Sequence, residues 1–154
     1  MLLRERISSD LTSAMKSKDA GRLSVLRMMK SAVRNREIDL RRELDDAGVS
    51  EVLLGLIRQH RDSVEQFTRG GRLDLAGKES AEIAVLESYL PAAVTDDEIA
   101  RVVDEVIGET GAASIKDLGK VMKAALARFS GRPVEGAKVS ERVKERLSAA
   151  TGRG

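Results

Sequence analysis

GRLSVLRMMKSAVRNREIDLRREL, residues 21 to 44, is the longest unbroken helical pattern in the chain and also its most basic stretch. At about 100° per residue, Val25, Leu26, Met29, Ala32, Val33 and Leu40 fall on one arc of a helix. Arg27, Lys30, Arg34 and Arg41 gather within roughly 60° of one another on a different arc. One face requires a core. The other offers cations to water, to acidic partners or to a polyanion, and a solvated face is the plainer reading of such a row.

Working outward, residues 2 to 17 carry Leu3, Ile7, Leu11, Ala14 and Met15 at helical spacing, with Lys16 and Lys18 at the end where cations suit the dipole. Lys-Asp-Ala or Gly21 breaks that first helix. On the other side the basic helix fades at Asp45-Asp46-Ala47-Gly48, and Ser50 followed by Glu51 predicts the start of a third. There Leu53, Ile57, His60, Val64 and Phe67 form the apolar stripe. Thr68-Arg69-Gly70-Gly71 closes it, Leu73 to Tyr89 reads as a fourth helix, and Pro91 ends that one by disfavouring helical geometry at the residue before it. A boundary between two subdomains is placed here.

Thr95-Asp96-Asp97-Glu98 reads as a capping box, Thr95 and Glu98 serving each other's backbone donors, ahead of a one-sided stripe of Ile99, Val102, Val103, Val106 and Ile107. Ser114 caps again with Asp117 three residues on, and Ile115, Leu118, Met122, Ala125 and Phe129 repeat at helical spacing. Opposite that stripe Lys116, Lys120 and Lys123 lie within about 60° of one another. Lys138 to Ala149 gives a last amphipathic helix carrying Arg142, Lys144 and Arg146, and Thr151 to Gly154 is expected to fray. The organisation expected is all-α: an N-terminal antiparallel helical bundle (residues 1–91), a small three-helix tail (92–150) and a frayed end (151–154).

Composition agrees. The 154 residues are 42% hydrophobic, 34% charged and only 2% aromatic, with two prolines and no cysteine. A core of ordinary size can close, disulfides and thiolate metal sites are impossible, and cytoplasm is the default compartment. Charges at positions 4 to 6 and 10, and no long apolar run, give no expectation of a signal peptide or membrane span. The net charge of +2 is unevenly spread. Residues 1–44 hold 11 Lys/Arg against 6 Asp/Glu, residues 79–109 hold 1 against 9, and residues 111–154 hold 10 against 4. Any polyanion would therefore meet particular faces.

A nucleophile with its base, a metal cluster or a phosphate cradle would mark an enzyme, and none is evident. Gly70-Gly71 and Gly131-Arg132-Pro133 lack a nucleotide-loop frame. His60 is the single histidine and has no Cys or second His as companion, so it reads as a core-edge or helix-interface residue rather than a ligand. The acids Glu79, Glu82, Asp96, Asp97, Glu98, Asp104, Glu105 and Glu109 read as solvated or salt-bridging, and no metal or cofactor is expected. Phe67, Tyr89 and Phe129 all fit buried stripes, which leaves no stacking platform for single-stranded bases. Phosphate-directed binding of structured RNA by Lys/Arg rows remains.

Three blocks, RLSVLRMMKSAVRNREID (22–39), GRLDLAGKESAEIAVLESYLP (71–91) and ETGAASIKDLGKVMKAAL (109–126), closely resemble the YqeY-like family. That family is similar to the C-terminal region of the phosphorylating component of the glutamyl-tRNA(Gln)/aspartyl-tRNA(Asn) amidotransferase. YLP at 89–91 and the TGA-S-KD-GKVM pattern at 110–122 are the most specific pieces. The resemblance implies an all-helical protein in two parts whose relatives help to hold tRNA, with the phosphorylating domain of the ligase absent. This chain departs from the family pattern at Gly55, at His60, at Gly77 and at Lys123, the last adding charge to the tail row. The expected function is a stand-alone, non-catalytic module binding tRNA or another structured RNA through Lys116, Lys120 and Lys123, helped by Lys138 and Arg142. A protein–protein adaptor and an accessory of a tRNA-dependent carbon–nitrogen ligase are the alternatives. Arg27, Lys30, Arg34 and Arg41 form a secondary basic surface, expected to be held by the acidic residues of segment 79–109.

Overall fold

The computed structural model describes residues 1 to 152, and side chains as far as Ala149. Seven α-helices and one 3₁₀ turn, with no strand, occupy the described residues, so the chain is all-α. Two compact units divide it, Met1–Pro91 and a second beginning at Ala92.

The first unit contains α1 (Leu3–Ser17), α2 (Ala20–Leu40), α3 (Asp46–Arg69) and α4 (Leu73–Glu87). Lys18 adopts a left-handed conformation (φ 57°) that stops α1, and Asp19 at once caps α2 by accepting from the Arg22 N–H at 3.1 Å. α2 is shorter than its pattern. Arg41 turns left-handed (φ 55°), the Arg42 N–H closes on the Glu37 carbonyl at 3.2 Å, and Arg41 thereby leaves the basic row it was expected to join. α3 begins earlier than the serine signal: Asp45 accepts from the Gly48 N–H at 2.8 Å, and Ser50 is buried in the next turn. α1 packs along α2 and α3 along α4. Ile7, Leu26, Met29, Leu53, Leu86 and Tyr89 fill the core between them.

Two polar ties cross this unit. Glu37 of α2 accepts from Arg4 of α1 at 3.0 and 3.1 Å and from the Leu44 N–H at 2.8 Å, which turns Leu44 into the core. Buried Tyr89 donates its hydroxyl proton to Asp10 at 2.5 Å and accepts from Arg22 at 3.2 Å, while the Arg6 guanidinium sits 4.5 Å from its ring centre. Burial first, then the hydrogen bond to Asp10, pushes the Tyr89 phenol up to about 12.

The second unit contains α5 (Asp96–Thr110), the 3₁₀ turn (Ile115–Asp117), α6 (Leu118–Arg128) and α7 (Gly136–Gly152). Thr95 accepts from the Glu98 N–H at 3.2 Å, and the Glu98 carboxylate reaches back to Thr95 while its stronger partner is Arg132, at 2.5 and 3.2 Å. Asp117 accepts from the Ala113 and Ser114 N–H groups at 3.0 and 3.4 Å, and one 3₁₀ turn precedes α6 where a single helix was expected. Val103, Val106, Val121, Phe129, Val139, Val143 and Leu147 form the core. α7 runs to Gly152, and the last two residues of the end expected to fray lie outside the described residues.

Candidate functional site

Five cations of the tail were singled out, and the structure separates them into two sets. Lys138 reaches Asp96 at 3.2 Å and Glu135 at 3.9 Å, which raises its pKa, the Asp96 contact being the larger cause. Arg142 lies 3.7 Å from Asp104 and 3.9 Å from Glu145, half-buried, with no hydrogen-bond partner for Nε among the described residues. Both side chains of α7 are thus committed to acids, Asp96 and Asp104 belonging to α5.

The remaining three stand on the 3₁₀ turn and α6. Lys116, Lys120 and Lys123 are exposed, and among the described residues none has a carboxylate within ion-pair distance. Lys120 donates to the Thr110 carbonyl at 3.2 Å, compensating the C-terminal end of α5. Asp117 lies in the same segment, its pKa held below the usual range by the Ala113 and Ser114 N–H groups and then by Lys120. The row is flanked by exposed apolar side chains, Ile115 and Leu126.

The surrounding arginines are consumed. Arg128 binds Glu105 at 2.6 Å and Glu109 at 3.7 Å, Arg132 binds Glu98, and Arg146 binds Asp104 at 2.8 Å. Glu98 and Glu105 are held below the ordinary carboxylate range, chiefly by Arg132 and by Arg128 respectively. The acids of 79–109 were expected to hold Arg27, Lys30, Arg34 and Arg41, but within the first unit Glu87 pairs with Arg61 instead. Arg27, Lys30 and Arg34 are exposed on α2 and have no carboxylate partner among the described residues. Lys30 and Arg34 line, with Ile7, Val33, Arg4 and Glu37, an open groove of about 450 Å³.

His60 sits at a helix interface, as its sequence reading expects. It is buried on α3, and the companions it lacks in Cys and His are supplied by carboxylates: Nε2 lies 2.7 Å from Glu82 and 3.4 Å from Glu79, both on α4. Nδ1 lies 2.8 Å from the Leu56 carbonyl. Burial opposes the imidazolium, yet the Leu56 carbonyl, the Glu82 hydrogen bond and the two negative charges outweigh it, so the His60 pKa is raised. The three ligand atoms lie within 4.8 Å of one another, a spacing at which one metal ion could take all three. The only sequence signal was the three-residue step from Glu79 to Glu82, which places both on one face of α4.

A family model described as Yqey-like protein matches residues 4–147. Among curated proteins, the chain is similar to the Altered inheritance of mitochondria protein 41, mitochondrial, of Kluyveromyces lactis, with 39% identity over 101 residues, 63% of this chain and 55% of that protein. The proteins of the same name from Lachancea thermotolerans and Eremothecium gossypii are 35% and 32% identical over 85 and 87 residues. Those matches take in 54% and 56% of this chain and 46% and 48% of the relatives. The chain thus spans about half the length of the curated relatives it matches. Their names overturn the cytoplasmic expectation: lack of cysteine constrains redox chemistry and not compartment. No helix among the described residues is long and apolar enough to cross a membrane.

Proposed function

The chain belongs to the YqeY-like family, and from that premise we propose that it is a non-catalytic helical module that binds structured RNA of the tRNA class through Lys116, Lys120 and Lys123. The observation that supports this reading is a division of labour among the cations of the second unit. Arg128, Arg132, Lys138, Arg142 and Arg146 are matched to carboxylates, whereas the three lysines, like Lys144 of α7, are exposed without one among the described residues. Ammonium groups on successive turns with no carboxylate to neutralise them suit phosphates, which are recognised by charge and carry no sequence information. Tyr89 and Phe129 are buried and Phe67 half-buried, which favours a folded, phosphate-presenting RNA over unstacked single strands.

Titration with purified tRNA at 50 and 200 mM salt tests the proposal. Three phosphate contacts at a slope of about 0.9 each weaken binding roughly 40-fold across that range. The triple variant Lys116→Glu, Lys120→Glu, Lys123→Glu should lose both affinity and most of that slope. Absence of a shift at micromolar protein in 50 mM salt, or equal binding by the variant, rules the reading out.

The exposed pair Ile115 and Leu126 beside the lysines supports a second reading, an adaptor that docks an acidic, apolar protein surface. Nuclease-treated affinity purification separates the two, because an adaptor keeps its partner and an RNA-bridged complex does not.

A further inference from the structure

We propose that His60 of α3 with Glu79 and Glu82 of α4 forms a binding site for one divalent transition-metal ion of the Zn²⁺ class. The geometry begins with the tautomer. The Leu56 carbonyl can only accept, so its 2.8 Å contact fixes the proton of His60 on Nδ1. Nε2 of the neutral ring then presents a lone pair, and two carboxylate oxygens face it at 2.7 and 3.4 Å. Three electron-rich atoms converging beside a buried imidazole and two half-buried carboxylates favour a positive charge among them. A proton on Nε2 is directed along one line and serves one carboxylate, whereas a metal ion accepts all three donors at once.

The distances fit. Metal–ligand lengths of about 2.0 to 2.2 Å set neighbouring donors in a tetrahedron roughly 3.3 Å apart. Glu79 is at that separation from Nε2, and a small rotation of Glu82 opens its shorter contact to match. The support is of the kind metal-binding histidines require, with the second ring nitrogen donating to a backbone carbonyl. Two carboxylates and one neutral imidazole cancel a 2+ charge, so the loaded site is electrically neutral in its half-buried position. The imidazole sets the metal class, since Mg²⁺ and Ca²⁺ favour all-oxygen shells and the affinity order places Zn²⁺ above Mn²⁺ and Fe²⁺. Three protein donors leave a fourth position open to solvent or to a ligand.

The untagged, EDTA-stripped full chain is titrated in parallel with Zn²⁺, Mn²⁺ and Mg²⁺ by calorimetry and by thermal melting, and with Co²⁺ followed by its visible absorption. The expected result is one equivalent of Zn²⁺ bound at micromolar or lower concentration, with a higher melting temperature and weaker response to Mn²⁺ and Mg²⁺. Glu79→Gln, Glu82→Gln and His60→Gln should each weaken Zn²⁺ binding by about tenfold or more. Glu79→Gln is the variant to rely on for folding, because that side chain is partly exposed and its contact to His60 is the longer one. If Zn²⁺ neither binds nor shifts the melt, the cluster is an imidazolium–carboxylate pair and the proposal fails. Wild-type affinity in the folded Glu79→Gln and Glu82→Gln variants would put the metal elsewhere and overturn it equally.

Discussion

Replacing Tyr89 by Phe should destabilise the first unit at neutral pH and cease to do so in alkali. The ring is buried and keeps its packing as Phe, including the Arg6 guanidinium 4.5 Å from its centre, so the change is confined to the hydroxyl. That hydroxyl donates to a charged acceptor, Asp10, and accepts from Arg22. Hydrogen bonds to charged partners contribute about 1.5 to 3 kcal/mol. Asp10 is 31% exposed and stays 3.7 Å from Arg22, so the lower end, about 1.5 kcal/mol, is expected. In a unit of this size such a loss lowers the melting temperature by roughly 6 to 12 °C. The sign of the pH effect follows from the phenol, whose pKa is raised from 10.0 unfolded to about 12 folded. Its stabilisation is complete below pH 10 and is lost as pH rises toward 12, at about 1.4 kcal/mol per unit. All other groups are common to the two proteins and cancel in the difference. Wild type and Tyr89→Phe should therefore approach equal stability near pH 11, about one unit above the unfolded value. Urea denaturation of both proteins at pH 7, 9, 10 and 11 measures this. A difference that stays constant from pH 7 to 11, or no difference at pH 7, refutes the reasoning.

Glu37 is held below its ordinary 4.5 by Arg4 first and the Leu44 N–H second. A depressed carboxylate stabilises above the unfolded value and loses that contribution as pH falls, so Glu37→Gln should flatten the acid limb of the stability curve below about pH 4.5. Thr95→Ala removes the side-chain acceptor of the Glu98 N–H and should cost about 1 kcal/mol, read as a lower melting transition. Gly77 lies within α4 with open space where a Cβ would stand, so Gly77→Ala should stabilise by about 0.5 to 1 kcal/mol in chemical denaturation.

Helix stripes were legible because burial follows period. Leu53 and Ile57 of α3, and Val102, Val103 and Val106 of α5, are buried where their spacing put them. The start of α5 was legible because Thr95 acts on an N–H three residues away, a local event. The end of α2 was not. Left-handed caps usually announce themselves by glycine, and here Arg41 takes that conformation, so the continuing pattern to Leu44 misled. The α3 start failed for a related reason: Asp45 and Ser50 are both good caps, and tertiary structure buries Ser50. The surroundings of His60 required knowing how α3 registers against α4, since Glu79 and Glu82 lie on a different helix. No local rule supplies that register.

Charge was the least local property of all. The sequence shows a basic tail beside an acidic segment, but which cations survive as free charge depends on pairing across helices. In the second unit that pairing sorts by residue type. Among the described residues Arg101, Arg128, Arg132, Arg142 and Arg146 all meet carboxylates, and of the lysines only Lys138 does. Guanidinium forks match carboxylates in two places and lose less freedom per bond, whereas an ammonium group is a mobile, strongly hydrated point charge. Each exposed pair contributes little to stability, about 0 to 1 kcal/mol. Together they cancel much of the field of α7 and leave Lys116, Lys120 and Lys123 as a short positive row. A ligand held by that row would be held by charge rather than by shape, so its affinity should follow salt more closely than the identity of any one lysine.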